Sequence, residues 1–215
     1  MRNRVFKAAL FDLDGVVFDT EPQYSIFWGG ECRRYHPEQP GLEYAIKGQT
    51  LTEILEKYFS DEREEWDAIV GRLNDYERSM DFVYVDGFVD FITSLREEGL
   101  KTAVVTSSNV PKMKSVYKHH PELSELFDAI LTSEDFDKSK PDPDCYIKGA
   151  QRFGVSTEDC LVLEDSFNGL MSARASGGVV IGLATSNPRE KIESLSDIVI
   201  DNYKGLNYNT LINKF

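Results

Sequence analysis

At 215 residues, with 41% hydrophobic and 28% charged positions, the chain is long enough to bury an apolar core and form a standalone enzyme. Its formal net charge of −13 argues against a nucleic-acid partner, because phosphate backbones are bound by basic surface. A small phosphorylated ligand stays admissible, since charges beyond a Debye length of about 8 Å are screened and a metal with one or two cations sets the local field.

The basic start, Met1-Arg2-Asn3-Arg4, precedes an apolar run that Asp12 and Asp14 cut too short for a signal peptide. No stretch approaches the roughly 18 apolar residues of a membrane helix. A soluble, cytoplasmic protein without a membrane partner is expected, and a monomer is favoured. Cys32, Cys145 and Cys160 are widely spaced and lack a Cys-x-x-Cys pair, so they read as idle or buried thiols. His36, His119 and His120 have no ligand spacing.

The first element is the strand Ala8-Ala9-Leu10-Phe11, which runs directly into Asp12-Leu13-Asp14-Gly15. Side chains two apart on an extended chain share a face, so Asp12 and Asp14 lean into one site, and Gly15 allows a bend that a Cβ would resist. In open α/β sheets the carboxyl ends of strands are where ligands bind. From about Thr20 to Tyr84 no strand is evident. Helical periodicity runs through Ile26, Ile54, Leu55 and Phe59, then through Trp66, Ile69, Val70, Leu73 and Tyr76. This helical insertion enters just after the aspartate pair and is expected to cover it.

Beyond the insertion, Phe88, Phe91, Ile92 and Leu95 predict a helix that stops at Gly99. Buried strands follow at Thr102 to Thr106, Ala129 to Thr132, Leu161 to Glu164 and Val179 to Leu183, with a weaker one at Ile198 to Ile200. Tyr146, Ile147, Ala150 and Phe153 mark a further helix before Gly154, and Tyr203 to Phe215 reads as a closing helix. Alternating strands and helices predict an α/β fold, a doubly wound parallel sheet with an inserted α-helical cap. The expected division is a core of residues 1–19 plus 85–215 and a cap of 20–84.

Polar clusters fall at successive strand ends or in loops on that side: Asp12 with Asp14, Thr106-Ser107-Ser108, Lys140-Pro141 and Glu164-Asp165. The requirement they meet best is phosphoryl transfer, where catalysis is positioning plus neutralisation of charge. Asp12, Asp14, Glu164 and Asp165 form an oxygen-only ligand set suited to Mg²⁺. Lys140 is a compact cation for a phosphate oxygen and for the nucleophile's carboxylate. Thr106 offers a hydroxyl, and the N–H groups of Ser107 and Ser108 join it if a helix begins near Asn109. A receiver-type phosphoacceptor also gathers acids, a Thr or Ser and a Lys on a parallel sheet. Such modules are shorter and have no acid two residues after the phosphorylated aspartate.

Phe-Asp-Leu-Asp-Gly-Val at 11–16, Val-Val-Thr-Ser-Ser at 104–108, Ser-Lys-Pro-Asp-Pro at 139–143 and Leu-Glu-Asp-Ser at 163–166 with Gly169 resemble the four motifs of the haloacid dehalogenase superfamily. The position of the insertion is similar to that of the β-phosphoglucomutase-like group. The resemblance implies Asp12 as nucleophile, Asp14 as general acid/base, and Thr106 with Lys140 holding the transferring phosphoryl group. It also implies Mg²⁺ on the Asp12 carboxylate, the Asp14 carbonyl, Asp165 and, directly or through water, Glu164. Counting from the matching Asp-Gly, the mutase's cap histidine falls on Tyr24, with Trp28 four residues on; its cap arginine falls on Leu51. Tyr24, Trp28 and the segment Lys47-Gly48-Gln49 are expected to touch substrate, and Arg72 is a weaker candidate. With both mutase determinants missing, hydrolysis of a small phosphate ester, first of all a sugar phosphate, is expected ahead of a phosphomutase.

Overall fold

The computed structural model describes residues 5–46 and 51–215. The first strand, β1 (Ala8–Phe11), is followed by the helices α1 (Glu21–Tyr35), α2 (Leu42–Ile46), α3 (Leu51–Tyr58) and α4 (Trp66–Glu77). The chain then alternates: α5 (Phe88–Glu97), β2 (Lys101–Val105), α6 (Val110–His119), α7 (Leu123–Leu126), β3 (Ala129–Leu131), α8 (Asp144–Gln151), β4 (Cys160–Glu164) and α9 (Phe167–Ser176). It closes with β5 (Val179–Leu183), α10 (Arg189–Ile192), β6 (Ile198–Ile200) and α11 (Tyr208–Ile212).

The six strands are parallel in the order β3-β2-β1-β4-β5-β6. From β1 the chain winds outward to β2 and β3, then crosses back to add β4 on the other side. The topological switch therefore lies at β1, where a crevice opens at the carboxyl ends. Phe11 pairs with Val104 on one side and Leu163 on the other, so Asp12 is the first residue past the paired strand, and its N–H still reaches the Leu163 carbonyl at 3.0 Å.

Strand alternation gives each face of the sheet its own core. Ala9, Phe11, Val104, Leu161, Leu163 and Ile181 pack with the apolar faces of α5 and α6. Ala8, Leu10, Val105, Val162 and Val180 pack with Tyr146 and Ala150 of α8 and Leu170 of α9. This is the doubly wound α/β fold expected from the alternation.

The helices between residues 20 and 84 bury a cluster of their own, made by Phe27, Trp28, Cys32, Ile46, Ile54, Leu55, Phe59, Ile69 and Leu73. The periodicity had placed Ile26 on this inner face. It is 65% exposed instead, because α1 turns Phe27, Trp28 and Cys32 inward. The closing helix is also shorter than expected. Tyr203 lies outside it, buried and stacked on Phe91 with ring centroids 4.9 Å apart, and helix resumes only at Tyr208 behind the Asn207 cap. Cys32, Cys145 and Cys160 are buried free thiols.

Candidate active site

A cavity of about 270 Å³ lies between the strand ends and the helices of residues 20–84, lined by Asp12, Asp14, Thr106, Ser107, Ser108, Lys140 and Asp165 from the sheet side. Side chains from four separate strand-end segments therefore converge on one space. Tyr24 and Trp28 of α1 line it as well, together with Leu51 at the start of α3. Lys47, Gly48 and Gln49 lie outside the described residues.

Lys140 is 6% exposed, and its Nζ donates to Asp12 Oδ1 at 2.7 Å, Glu164 Oε1 at 2.6 Å and the Val105 carbonyl at 3.2 Å. Burial opposes its charge, but the carboxylates of Asp12 and Glu164 prevail and hold its pKa above the ordinary lysine value. Asp12 feels the reverse balance. Burial, with Glu164 and Asp14 nearby, raises it to about 7 although Lys140 pulls the other way.

Glu164 is fully buried and both its oxygens are engaged. Oε1 accepts from Lys140 and from Tyr146 Oη at 2.7 Å; Oε2 accepts from the N–H groups of Asp165 and Ser166 at 3.0 and 3.2 Å and from Ser166 Oγ at 3.2 Å. Gly169 makes room for this arrangement, because a Cβ there would stand 1.8 Å from Glu164 Oε1.

One oxygen each from Asp12, Glu164 and Asp165 lie within 4.8 Å of one another, and all three residues are buried. Burial, with Glu164 and Asp12 beside it, pushes the Asp165 carboxyl well above its usual range. Three clustered hard oxygen donors, with a single lysine bonded to two of them, fit a divalent cation such as Mg²⁺.

Asp14 has different surroundings. Oδ1 accepts from Thr20 Oγ1 at 2.8 Å; Oδ2 accepts from Ser108 Oγ at 3.2 Å and from Lys112 Nζ. Lys112 Nζ also stands 5.0 Å from the centre of the Tyr24 ring, and Tyr24 Oη donates to Glu77 Oε1 at 2.8 Å. Burial, with Asp14 nearby, holds the Glu77 carboxyl above its usual range although Lys112 and the Tyr24 hydrogen bond pull the other way.

The helix expected near Asn109 begins at Val110, with the Asn109 side chain accepting from the Lys112 N–H at 2.9 Å. The Ser108 N–H is turned to Thr106 Oγ1 at 3.0 Å, so in this loop it supports the threonine hydroxyl. Arg72 does not line the cavity. Its guanidinium grips both oxygens of Glu31 at 2.9 and 2.6 Å and the Tyr35 hydroxyl at 3.0 Å, which ties α4 to α1.

Sequence reasoning passed over Lys112, Glu77, Tyr146 and Ser186. Ser186 hydrogen-bonds Asp165 Oδ2, Thr185 Oγ1 donates to the Gly15 carbonyl at 2.6 Å, and Asn187 Nδ2 donates to the Asp165 carbonyl at 3.0 Å. The signal for these three was present, since Thr185-Ser186-Asn187 follows β5 just as the other clusters follow their strands. Lys112, Glu77 and Tyr146 lie inside helices, where their inward aim depends on packing.

The fold and this site define a phosphoryl-transfer enzyme with an aspartate at the switch point of a parallel sheet. A family model described as "Haloacid dehalogenase-like hydrolase" matches residues 9–183. The chain is 30% identical over 183 residues to hexitol phosphatase A of Escherichia coli K12, covering 82% of each chain. It is 27% identical over 199 residues to the β-phosphoglucomutase of Bacillus subtilis 168, covering 85% of each. Among solved structures, a haloacid dehalogenase hydrolase of Entamoeba histolytica superposes with a TM-score of 0.84 at 23% identity, over 97% of this chain and 98% of that one. The chain belongs to the haloacid dehalogenase-like hydrolases and is a phosphoric monoester hydrolase of that family. Among the described residues no helix is long and apolar enough to cross a membrane.

Proposed function

We propose that the enzyme hydrolyses a small phosphorylated metabolite, with a sugar phosphate the first expectation, through an aspartyl phosphate on Asp12. The observation that supports this most is the unlike setting of two aspartates on one cavity. Asp12 is buried against Lys140 and Glu164, whereas Asp14 is held among hydroxyls and Lys112 at the mouth of the helical half. An Asp12 oxygen attacks phosphorus as the bond to the alcohol oxygen breaks, and Asp14 protonates that oxygen. Water then attacks the same phosphorus, Asp14 takes its proton, and inorganic phosphate leaves with Asp12 regenerated.

Lys140 and Thr106 hold the phosphoryl oxygens, with Ser107 and Ser108 beside them. Asp12, Asp165 and the Asp14 carbonyl would hold Mg²⁺, with Glu164 nearby. Bound there, the ion supplies positive charge for the phosphoryl oxygens and for the carboxylates around them. In Glu164 we see chiefly the residue that aims Lys140, since both its oxygens already accept hydrogen bonds. Residues 20–84 would act as a cap domain over a core of 1–19 plus 85–215, with Tyr24 and Trp28 against the substrate. The mutase reading ranks lower because the sequence count puts Tyr24 and Leu51, both of which line the cavity, at the positions of the mutase's cap histidine and arginine.

The test is phosphate release from p-nitrophenyl phosphate with Mg²⁺, followed by a panel of sugar phosphates. Asp12→Asn should abolish release, by at least about a thousandfold, while keeping the melting transition. Equal rates in the variant would remove Asp12 as nucleophile.

A further inference from the structure

The helical half of the cavity has its own chemistry. Trp28, Leu51, Ile54 and Leu73 give it apolar wall, and α4 presents Asn74 and, one turn on, the carboxylate of Glu77. Two lysines are the cationic side chains that line the cavity among the described residues. Lys140 is committed to Asp12 and Glu164, and Lys112 to Asp14. Glu77 is 9% exposed, is fixed by Tyr24 through a 2.8 Å hydrogen bond and lies within electrostatic reach of the same Lys112. The Lys112 ammonium is thus paired with the core carboxylate of Asp14, while the hydrogen-bond partner of Glu77 is the Tyr24 hydroxyl.

A second phosphate or a carboxylate entering here would meet Glu77 with no uncommitted cation among the described residues to receive it, and like charges in a partly desolvated space repel. A second ammonium would pair with Glu77 but repel Lys112. A hydroxyl suits both groups, since it donates to Glu77 and accepts from the Asn74 amide. Resting on the phosphatase reading above, we infer that this half takes the uncharged, hydroxylated end of a phosphomonoester and turns away a second anion. Glu77 is the residue that sets this specificity.

Two substrate pairs isolate that property, because the members of each differ at one carbon, CH₂OH against carboxylate. They are glucitol 6-phosphate against 6-phosphogluconate, and glycerol 3-phosphate against 3-phosphoglycerate. With Mg²⁺, kcat/KM should favour the neutral member of at least one pair by about ten- to a hundredfold, chiefly through KM. Glu77→Gln should shrink that ratio by about tenfold. Asn74→Lys, a change at a half-buried position that does not depend on the Glu77 variant folding, should swing the ratio toward the carboxylate.

Preference for the anionic member, or a ratio that neither variant moves, would overturn the proposal. So would hydrolysis of p-nitrophenyl phosphate together with inactivity on both pairs. No release from any phosphomonoester would instead sink the phosphatase reading itself.

Discussion

Gly15 meets two demands together. Its φ of +72° is strained for a residue with a side chain, and a Cβ there would stand 1.9 Å from Asp165 Oδ2. Gly15→Ala must therefore displace the carboxylate or the turn that carries Asp14. It should lower stability by about 1–3 kcal/mol and weaken activation by Mg²⁺, read by thermal melting and by a metal titration of turnover. A variant with wild-type metal response would show that Asp165 tolerates the shift. The neighbouring Asp12 carries a pH consequence. With its carboxyl raised to about 7, chiefly by burial, it holds its proton below that value and cannot attack phosphorus. At sub-saturating Mg²⁺ the rate should climb with pH up to about 7, and saturating Mg²⁺ should move that limb to lower pH. An acid limb that ignores the metal concentration would separate Asp12 from the ion.

At the scale of elements, the strands were the most legible part, because a strand covered on both faces is a short apolar run with a polar stop. Val179–Leu183 and Ile198–Ile200 fall where the runs are, and Asp12, Thr106 and Asp165 each directly follow a strand end. Helix faces were less legible. Lys112 sits on a helix whose sequence reads as a basic surface element, yet it is 6% exposed because α6 lies beside the aspartate turn. Glu77 likewise reads as the solvated end of α4 until Tyr24 approaches from α1.

Among paired elements, β2 and β3 share Asp128. Its carboxylate accepts from the Thr102 N–H at 2.9 Å and from Lys101 Nζ at 3.0 Å, and Arg96 lies 3.5 Å away. Burial would raise this carboxyl, but the hydrogen bonds and cations outweigh it and lower its pKa in the folded chain. The unfolded chain then binds the proton more tightly, so the contribution is present above the unfolded value of about 3.9 and is lost as pH falls through the folded one. Asp128→Asn should cost about 1 kcal/mol at pH 7, a modest figure because the group is partly exposed, and progressively less below about pH 4. Denaturant midpoints at several pH values would show it, and a deficit independent of pH would mean that charge is not the cause.

Over the whole molecule, the helical unit is joined to the sheet at its chain crossings and at the cavity. At the crossings, Asp19 N–H bonds the Val83 carbonyl at 2.8 Å, Val85 N–H bonds the Val17 carbonyl at 3.0 Å, and the Phe18 and Tyr84 rings stack at 4.8 Å. At the cavity, Asn168 of α9 donates to the Glu53 carboxylate of α3 at 3.0 and 3.3 Å, and Lys112 meets the Tyr24 ring. The crossings are backbone pairs and a ring stack on the buried Phe18, whereas the contacts at the cavity are made by side chains alone. Local opening should therefore begin at the cavity side. Lys112→Met removes the ammonium paired with Asp14. Its cost should be about 1–3 kcal/mol, below that of a fully buried pair because the Asp14 side chain is 24% exposed. Hydrogen exchange should quicken in α1 and α4 while β1 and β4 stay protected, and turnover should fall with the loss of order around Asp14. Uniformly faster exchange would make Lys112 a general stabiliser. Unchanged exchange with lost turnover would confine its effect to Asp14.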